Sequence, residues 1–408
     1  KVIEIERFGK EEDEAVLNVV RKADKTLSPY SFSFLGEGSE IYEFEREFAS
    51  WLGRKYCVSV NSGTSALFVA IKSLLVDKDI REYSTRFGAA RRGAAWCGVP
   101  AYTFCADSEA VLASGCSPWF ADIDQQTYCM NDWGTKNKIV IPVHTLGNMV
   151  DAESMKFWHN ECGVSMIEDC AQNVGGRWKN KKAGTFGDIS MFSGQGTKNL
   201  GAGEFGWCCT DDEELAERMR AIRNHSDYYS FTNKRKFDLS MVLGYNLRPS
   251  EFSAAIARCQ LTKLPKFLDN FERNARLIFD LLPNGIEKPY YPKEVKPAWF
   301  ILGCMYKGKH RNKFLEKLWE ERRKARMLFS DKTPDIPGSN QPPSYSIGSG
   351  YKHLLHELPL YQKYKRKTPN ADYVRNNIVW FDIHRWSDEE RIKKNMEIVN
   401  RVYKEIEG

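Results

Sequence analysis

Lys55–Val76 reads KYCVSVNSGTSALFVAIKSLLV. Tyr56–Val60 is a short apolar run of strand character, and Asn61-Ser62-Gly63 breaks it. Beyond the break, Leu67, Ala70, Ile71 and Leu74 recur at the spacing of one helix face. Strand, tight turn and helix in that order open an α/β unit. The turn also has the chemistry of an anion site. The first N–H groups of a helix lack intrahelical partners, and its positive end favours a phosphate. Thr64 and Ser65 add hydroxyl donors beside Gly63. Many α/β proteins use a Ser-Gly-Thr turn for packing alone, so the turn by itself does not assign a function.

The pattern continues outward from this unit. Upstream, residues 10–24 read as an amphipathic helix with Ala15, Val16, Val19 and Val20 on one side. Ile41–Leu52 reads as a second helix that stops at Gly53. Downstream, residues 77–98 form a polar, Gly-punctuated insertion. Past it, VPAYTFCADSEAVLASGCSPWFADID predicts strand, helix and strand. KIVIPVH (138–144) is a buried strand, ESMKFWHNECG (153–163) a helix, and VSMIEDCAQ (164–172) a strand ending in charge. GDISMF and EFGWCCT flank a glycine-rich turn as an outgoing and a returning strand. Asp211 and Glu214 suit a capping box opening a helix through Arg223. Residues 251–281 read as helical with an interruption at Pro265. Composition changes after about residue 285, where a strand-like stretch, a charged helix over 313–326 and a Pro/Gly/Ser-rich loop over 331–350 follow. That loop is a surface connection or a lid over a pocket. Ser387 and Glu390 form a second capping-box candidate, opening a helix with the stripe Ile392, Met396, Val399 and Tyr403. Short apolar strands alternating with helices argue for a mainly parallel sheet, whose ligands bind beyond the carboxyl ends of its strands.

Composition bounds the partners. The chain has 408 residues, 42% of them hydrophobic and 28% charged, with a formal net charge of +6. That balance suits a globular protein and tolerates an anionic small molecule without arguing for nucleic acid. Basic runs such as Lys234-Arg235-Lys236 and Lys365-Arg366-Lys367 read as solvated faces. Eleven cysteines without framework spacing, no Cys-x-x-Cys and no His-Glu-x-x-His predict reduced thiols and no metal. With no 18-residue apolar run and no signal-peptide pattern at KVIEIERFGKEEDEAV, the expected location is the cytoplasm, with no membrane partner. The absence of a Gly-x-Gly-x-x-Gly turn after the first strand argues against a nicotinamide dehydrogenase.

Four further features carry chemistry. Asp169 ends an apolar strand, where a carboxylate is costly to bury without a cationic partner such as a pyridinium nitrogen. A helix N-cap is the alternative role. Lys198 stands in SGQGTKNLGAGEFG (Ser193–Gly206), among small residues that let an amine approach a ring, and a desolvated lysine is a better nucleophile. In PAYTFCAD, Tyr102 or Phe104 offers a ring for stacking. In LGYNLRPSE, Asn246 and Arg248 precede a long helix and can donate to an anion. A phosphate turn, a stacking ring, a pyridinium carboxylate and a lysine in this order are the equipment of a pyridoxal phosphate enzyme.

These motifs together resemble the DegT/DnrJ/StrS aminotransferases, the sugar and aminocyclitol aminotransferases of the aspartate aminotransferase fold (fold type I). The resemblance runs from GKEEDEAVLNVV to GYNLRPSEFSAAIARCQL and fades in the last hundred residues. It implies an α/β architecture, with N-terminal helices and a large domain binding pyridoxal 5′-phosphate over 1–255 and a smaller C-terminal α/β domain over 256–408. By position, Lys198 matches the lysine that bonds to the cofactor aldehyde and Asp169 the partner of the pyridine nitrogen. Gln172 matches a residue near the ring hydroxyl. Gly63, Thr64, Ser65 and Ser193 match the phosphate site, and Phe104 the stacking ring. Asn246 matches a residue reaching the phosphate of a neighbouring subunit, which implies a homodimer with shared sites. The implied reaction moves an amino group from glutamate or glutamine to a nucleotide-linked keto-sugar, or to a keto-inositol. Relatives that act as sugar dehydratases carry histidine at the lysine position, and Lys198 argues against that chemistry; a cofactor-binding regulatory protein is the remaining rival. Two departures bear on substrate choice. Ser193-Gly194-Gln195 replaces the usual Ser-Phe-His, with glutamine resembling the aminocyclitol branch, and Phe205 interrupts the usual Gly-Glu-Gly-Gly.

Overall fold

The computed structural model describes residues 7–26, 35–76, 95–227, 242–324, 347–383 and 388–408. The Pro-rich loop up to residue 346, most of the 77–98 insertion, Lys234-Arg235-Lys236 and Ser387 lie outside them.

The opening unit is formed as its sequence requires. β1 (Tyr56–Val60) leads through Asn61 and Ser62 into α3 (Gly63–Leu74), after α1 (Lys10–Thr26) and α2 (Glu40–Leu52). Ser62 caps α3, its hydroxyl accepting the Ser65 N–H at 3.1 Å. Gly53 ends α2 in the left-handed conformation, φ +91°. The chain continues through β2 (Trp96–Pro100), α4 (Ala106–Ala113), β3 (Ser117–Ala121), β4 (Ile139–Val140), α5 (Ala152–Lys156) and β5 (Ser165–Asp169). A small hairpin of β6 (Arg177–Trp178) and β7 (Lys181–Lys182) precedes β8 (Ile189–Ser193), β9 (Gly206–Thr210) and α6 (Glu213–Arg223).

Seven of these strands form one sheet in the order β1-β9-β8-β5-β4-β2-β3. β3, β2, β4, β5 and β8 pair parallel, whereas β9 pairs antiparallel with both β8 and β1. β9 therefore runs against the other six strands, and the carboxyl ends of β1, β5 and β8 lie along one edge. Both faces are apolar because alternate residues point to opposite sides. Val58, Ile167, Met191 and Cys208 pack in a core that includes α3. Cys57, Met166, Phe192 and Trp207 pack with Phe44 and Phe48 of α2. Each of the Val, Ile, Met and Phe side chains among these contributes about 2 kcal/mol through burial.

α7 (Glu251–Asp280) links the main sheet to the C-terminal elements. It runs on through Pro265 without a break, so the expected interruption is absent; its buried face is long enough to hold the helix across the missing N–H. β10 (Ile286–Glu287), β12 (Ile301–Tyr306), β13 (Ile347–Gly348) and β14 (Ile378–Asp382) form a second, antiparallel sheet, in the order β10-β12-β14-β13. β11 (Val295–Lys296) joins β6 and β7 instead. α8 (Arg311–Lys324), α9 (Pro369–Asn377) and α10 (Glu389–Glu407) complete the region. Among the described residues no helix is long and apolar enough to cross a membrane.

Local details depart from expectation. Strand β2 begins at Trp96, inside the stretch read as insertion. Asp212, not Asp211, caps α6, because Asp211 is held by Arg54 and by the Lys55 N–H. Asp388 caps α10, where Ser387 was expected to. Val20 stays exposed, while Glu12 is buried on α1 by Gln260 and Lys263.

Glu168, on β5, is buried and satisfied on every side. His144 lies at 3.1 Å, and the N–H groups of Gly184, Phe186 and Gly187 donate to it at 2.5–2.8 Å. Burial alone would raise this carboxyl, but His144, Arg54 and the Gly187 N–H outweigh it and hold it below the usual carboxylate range. A depressed carboxyl stabilises the fold above its unfolded pKa and loses that contribution as the pH falls through the folded value. Glu168→Gln should therefore lower urea-measured stability by about 3 kcal/mol at neutral pH, and the difference should shrink below about pH 4. At the sheet edge, a Cβ on Gly206 would lie 2.3 Å from the Ser62 carbonyl oxygen. Gly206→Ala should lower the thermal midpoint, by about 1 °C for each 1 kcal/mol in a chain of this length.

Candidate active site

Three chain segments meet where β1, β8 and β9 pair. Gly206 pairs with Val60 on one side and with Ser193 on the other. A Cβ on Gly63 would come within 2.8 Å of the Ser193 Cβ and 2.9 Å of its Oγ. Only glycine allows this approach, and it brings the N-terminus of α3 against Ser193. Because Ser62 takes the Ser65 N–H, those of Gly63 and Thr64 stay outside the helix ladder. Thr64 is exposed. The Ser65 hydroxyl donates to Asn61 Oδ1 at 2.6 Å, and the Gln195 N–H donates to Ser193 Oγ at 3.3 Å.

The next strand end carries charge. Asp169 is 4% exposed, its backbone tied to Pro142 and His144 and its Oδ1 accepting the Ala171 N–H at 2.7 Å. Three residues on, the Gln172 side-chain oxygen Oε1 accepts the Leu146 N–H at 2.9 Å, and its amide donates to the Tyr351 hydroxyl at 3.3 Å. Leu146 is held at φ +56°, in the left-handed region.

Lys198 sits in a tight turn after β8. Its N–H donates to the Gln195 carbonyl at 2.8 Å, and its own carbonyl accepts from the Arg7 guanidinium. Asn199 ties the turn to Ala298 at 2.8 Å, and the Lys198 ammonium lies 4.6 Å from the centre of the Phe300 ring. Burial pulls the Lys198 amine down to about 8, against the opposing pull of the neighbouring Asp169. An ordinary lysine at neutral pH is almost wholly charged; this one carries a useful fraction of free amine.

Two residues of this site escaped the sequence reading. Asp107, in the first turn of α4, is 1% exposed and lies beside both Asp169 and Lys198. Burial and the neighbouring Asp169 push it well above the usual carboxylate range. Its signal was an acid in the helical, apolar part of PAYTFCAD. Phe300 had no local signal, because a long-range contact alone brings it to Lys198.

Other candidates divide. Phe104 is 55% exposed, leaving its ring available for stacking, whereas Tyr102 is wholly buried against Tyr351 and is no stacking candidate. Asn246 is exposed, one residue from Leu247, whose carbonyl accepts the Asn61 N–H at 3.0 Å. Arg248 donates to Asn224 at 2.7 Å. Phe205 faces away from the site and packs edge-on against Phe44 at 4.9 Å, so its departure is a repacked core position. Gln195 spends its side-chain oxygen on the Thr197 N–H and hydroxyl. His144, Glu168 and Cys170 cluster closely enough to suggest a metal, yet both imidazole nitrogens are engaged, by Glu168 and by the Val150 N–H. None of the eleven cysteines forms a disulfide.

The site fits pyridoxal 5′-phosphate: a helix N-terminus with hydroxyls for the phosphate, a buried carboxylate one strand away, and a buried lysine with a lowered pKa. Comparison with known proteins agrees. Residues 30–341 match the DegT/DnrJ/EryC1/StrS aminotransferase family. The chain is 33% identical over 258 residues to UDP-N-acetyl-3-dehydro-alpha-D-glucosamine 3-aminotransferase of Acidithiobacillus ferrooxidans, covering 62% of this chain and 63% of that one. Among solved structures, the aminotransferase from Psychrobacter cryohalolentis superposes with a TM-score of 0.80 at 23% identity, covering 98% of each chain. The Escherichia coli GDP-4-keto-6-deoxy-D-mannose-3-dehydratase with bound hydrated PLP superposes at 0.78, with 23% identity, covering 97% of this chain and 98% of that one. The chain belongs to the DegT/DnrJ/EryC1/StrS aminotransferase family of pyridoxal 5′-phosphate enzymes.

Proposed function

We propose that this aminotransferase moves an amino group from glutamate or glutamine to a keto-sugar carried on a nucleotide. The observation that carries the reading is Lys198, partly neutral beside Asp169 at the carboxyl edge of the sheet. The relative from Acidithiobacillus ferrooxidans, which by its name acts on a nucleotide-linked dehydro-sugar, supports the substrate class. A keto-inositol is the second reading. Gln195 suggested it, but that side chain is bound to Thr197, so the keto-sugar comes first. The fold is shared with a dehydratase, and Lys198 is the residue that favours transamination.

Bound pyridoxal 5′-phosphate supplies an aldehyde that condenses with amines and a ring that takes up electron density. The chain's own groups do the rest. Gly63 and Thr64 N–H groups, with the Thr64, Ser65 and Ser193 hydroxyls, hold the phosphate; Ser65 does so by turning from Asn61. Asp169 keeps a proton on the ring nitrogen, Phe104 stacks on the ring, and Gln172 sits by the ring hydroxyl. Lys198 takes a proton from the α-carbon of the amino donor and returns one. Exposed Asn246 reaches the phosphate of a second subunit, which makes the working unit a homodimer. We divide the chain into a cofactor-binding region through residue 255 and a C-terminal region from 256; the second sheet, formed wholly after residue 285, supports the division. Unpaired cysteines support a reducing, cytoplasmic setting.

Two measurements test this. In protein stripped of cofactor, amine-reactive labelling of Lys198, followed by mass spectrometry, should rise with pH to a midpoint of about 8. The free amine is the reactive form and grows as the pH rises through the pKa; a midpoint near the ordinary value of about 10.4 would remove the activated lysine. Lys198→Ala should lose the covalent cofactor absorbance and lower turnover of glutamate with a nucleotide-linked keto-sugar by about 10⁴-fold or more. A yellow, active alanine variant would overturn the assignment.

A further inference from the structure

The buried acids at this site outnumber its cations. Asp107 and Asp169 both face Lys198. Tyr351 also lies beside both carboxyls, and Cys105 beside Asp107, but burial keeps the phenol and the thiol neutral, the thiol pushed up to about 11. Two carboxylates against one partly neutral amine would leave a net negative charge in a desolvated pocket, an arrangement that forces one acid to keep its proton.

The hydrogen bonds say which acid. Asp169 accepts the Ala171 N–H, as a carboxylate does. Asp107 Oδ2 accepts the Thr103 hydroxyl at 3.0 Å, its Oδ1 is buried without a donor, and the two carboxyl groups are hydrogen-bonding neighbours. An ionised Asp107 would strand that oxygen. A protonated one turns it into an O–H donor aimed at Asp169.

We propose that Asp107 and Asp169 share one proton as an acid–carboxylate pair, with Asp107 the positioning residue that orients Asp169 toward the cofactor ring. This rests on the reading of the site as a pyridoxal 5′-phosphate site. The pair presents one negative charge to the ring nitrogen. The O–H bond from Asp107 fixes the Asp169 side chain against rotation, and Thr103 in turn fixes Asp107.

Asparagine reproduces the protonated acid. Its carbonyl accepts from Thr103 and its amide donates to Asp169, with no change in charge. Asp107→Asn should therefore leave the Lys198 labelling midpoint unmoved and cofactor affinity within about two-fold, whereas Asp107→Ala should weaken that affinity about ten-fold. Wild-type protein at neutral pH should show the infrared carbonyl band of a protonated carboxylic acid, absent from both variants. A merely structural role for Asp107 would not produce that band. The proposal is overturned if the band is missing from the wild type. It is also overturned if Asp107→Asn lowers the Lys198 midpoint by about one unit, which marks the loss of a real negative charge. Failure of the wild type to bind pyridoxal 5′-phosphate at all would overturn the functional reading and the orienting role, and the infrared band would still decide the shared proton.

Discussion

Holding a carboxylate out of water is the constraint on which this site depends. Asp169 ends an apolar strand at the sheet's interior edge, where an unpaired charge costs several kcal/mol. The surroundings answer with specific groups: a backbone N–H from Ala171, an amine from Lys198 and the neighbouring acid Asp107. Each answer changes the chemistry of the group that supplies it. Burial gives Lys198 a fraction of free amine, and Asp107 is driven toward its neutral form. The same desolvation that threatens the fold therefore prepares an amine and a proton donor.

That pocket exists because backbones pass unusually close beside it. β9 runs against its neighbours and ties β1 to β8 through Gly206. Side chains are absent at Gly63 and Gly206, so the N-terminus of α3 meets Ser193 directly. One side of β9 then carries Trp207 into the aromatic cluster with Phe44, Phe48 and Phe192, and Phe205 joins it. The aromatic mass anchors the turn from outside while the cofactor side stays small. Glu168 does comparable work one residue before Asp169, locking β5 to the loop at 184–187.

Much of this was legible residue by residue. The period of two in the strands and of 3.6 in α2, α3 and α10 placed the elements, because burial on a sheet or helix face is a local pattern. Asp169 stood out as a carboxylate ending an apolar strand and Lys198 as a lone cation among small residues, whereas Gln172 and Ser193 entered through the family resemblance. Cap positions slipped by one residue at α6, where Arg54 takes Asp211 and leaves Asp212 to cap, and at α10, which Asp388 caps. Pro265 misled because the rule against proline in helices concerns an isolated helix, and α7 is held by packing along its length. Tyr102 and Phe104 looked equivalent until the fold buried one and exposed the other.

By itself, then, the sequence determined the alternation of strands and helices, the Ser-Gly-Thr turn at a strand-to-helix junction and the isolated placing of Lys198 and Asp169, since each depends on residues adjacent in the chain. Only the tertiary structure decided that Asp107 lies against Asp169, that Phe300 lies beneath Lys198, and that Phe205 and Gln195 are spent on packing and on a turn. Those outcomes depend on how far each group is removed from water and on which charge it meets there. Both quantities belong to the folded arrangement of distant segments and not to any stretch of chain.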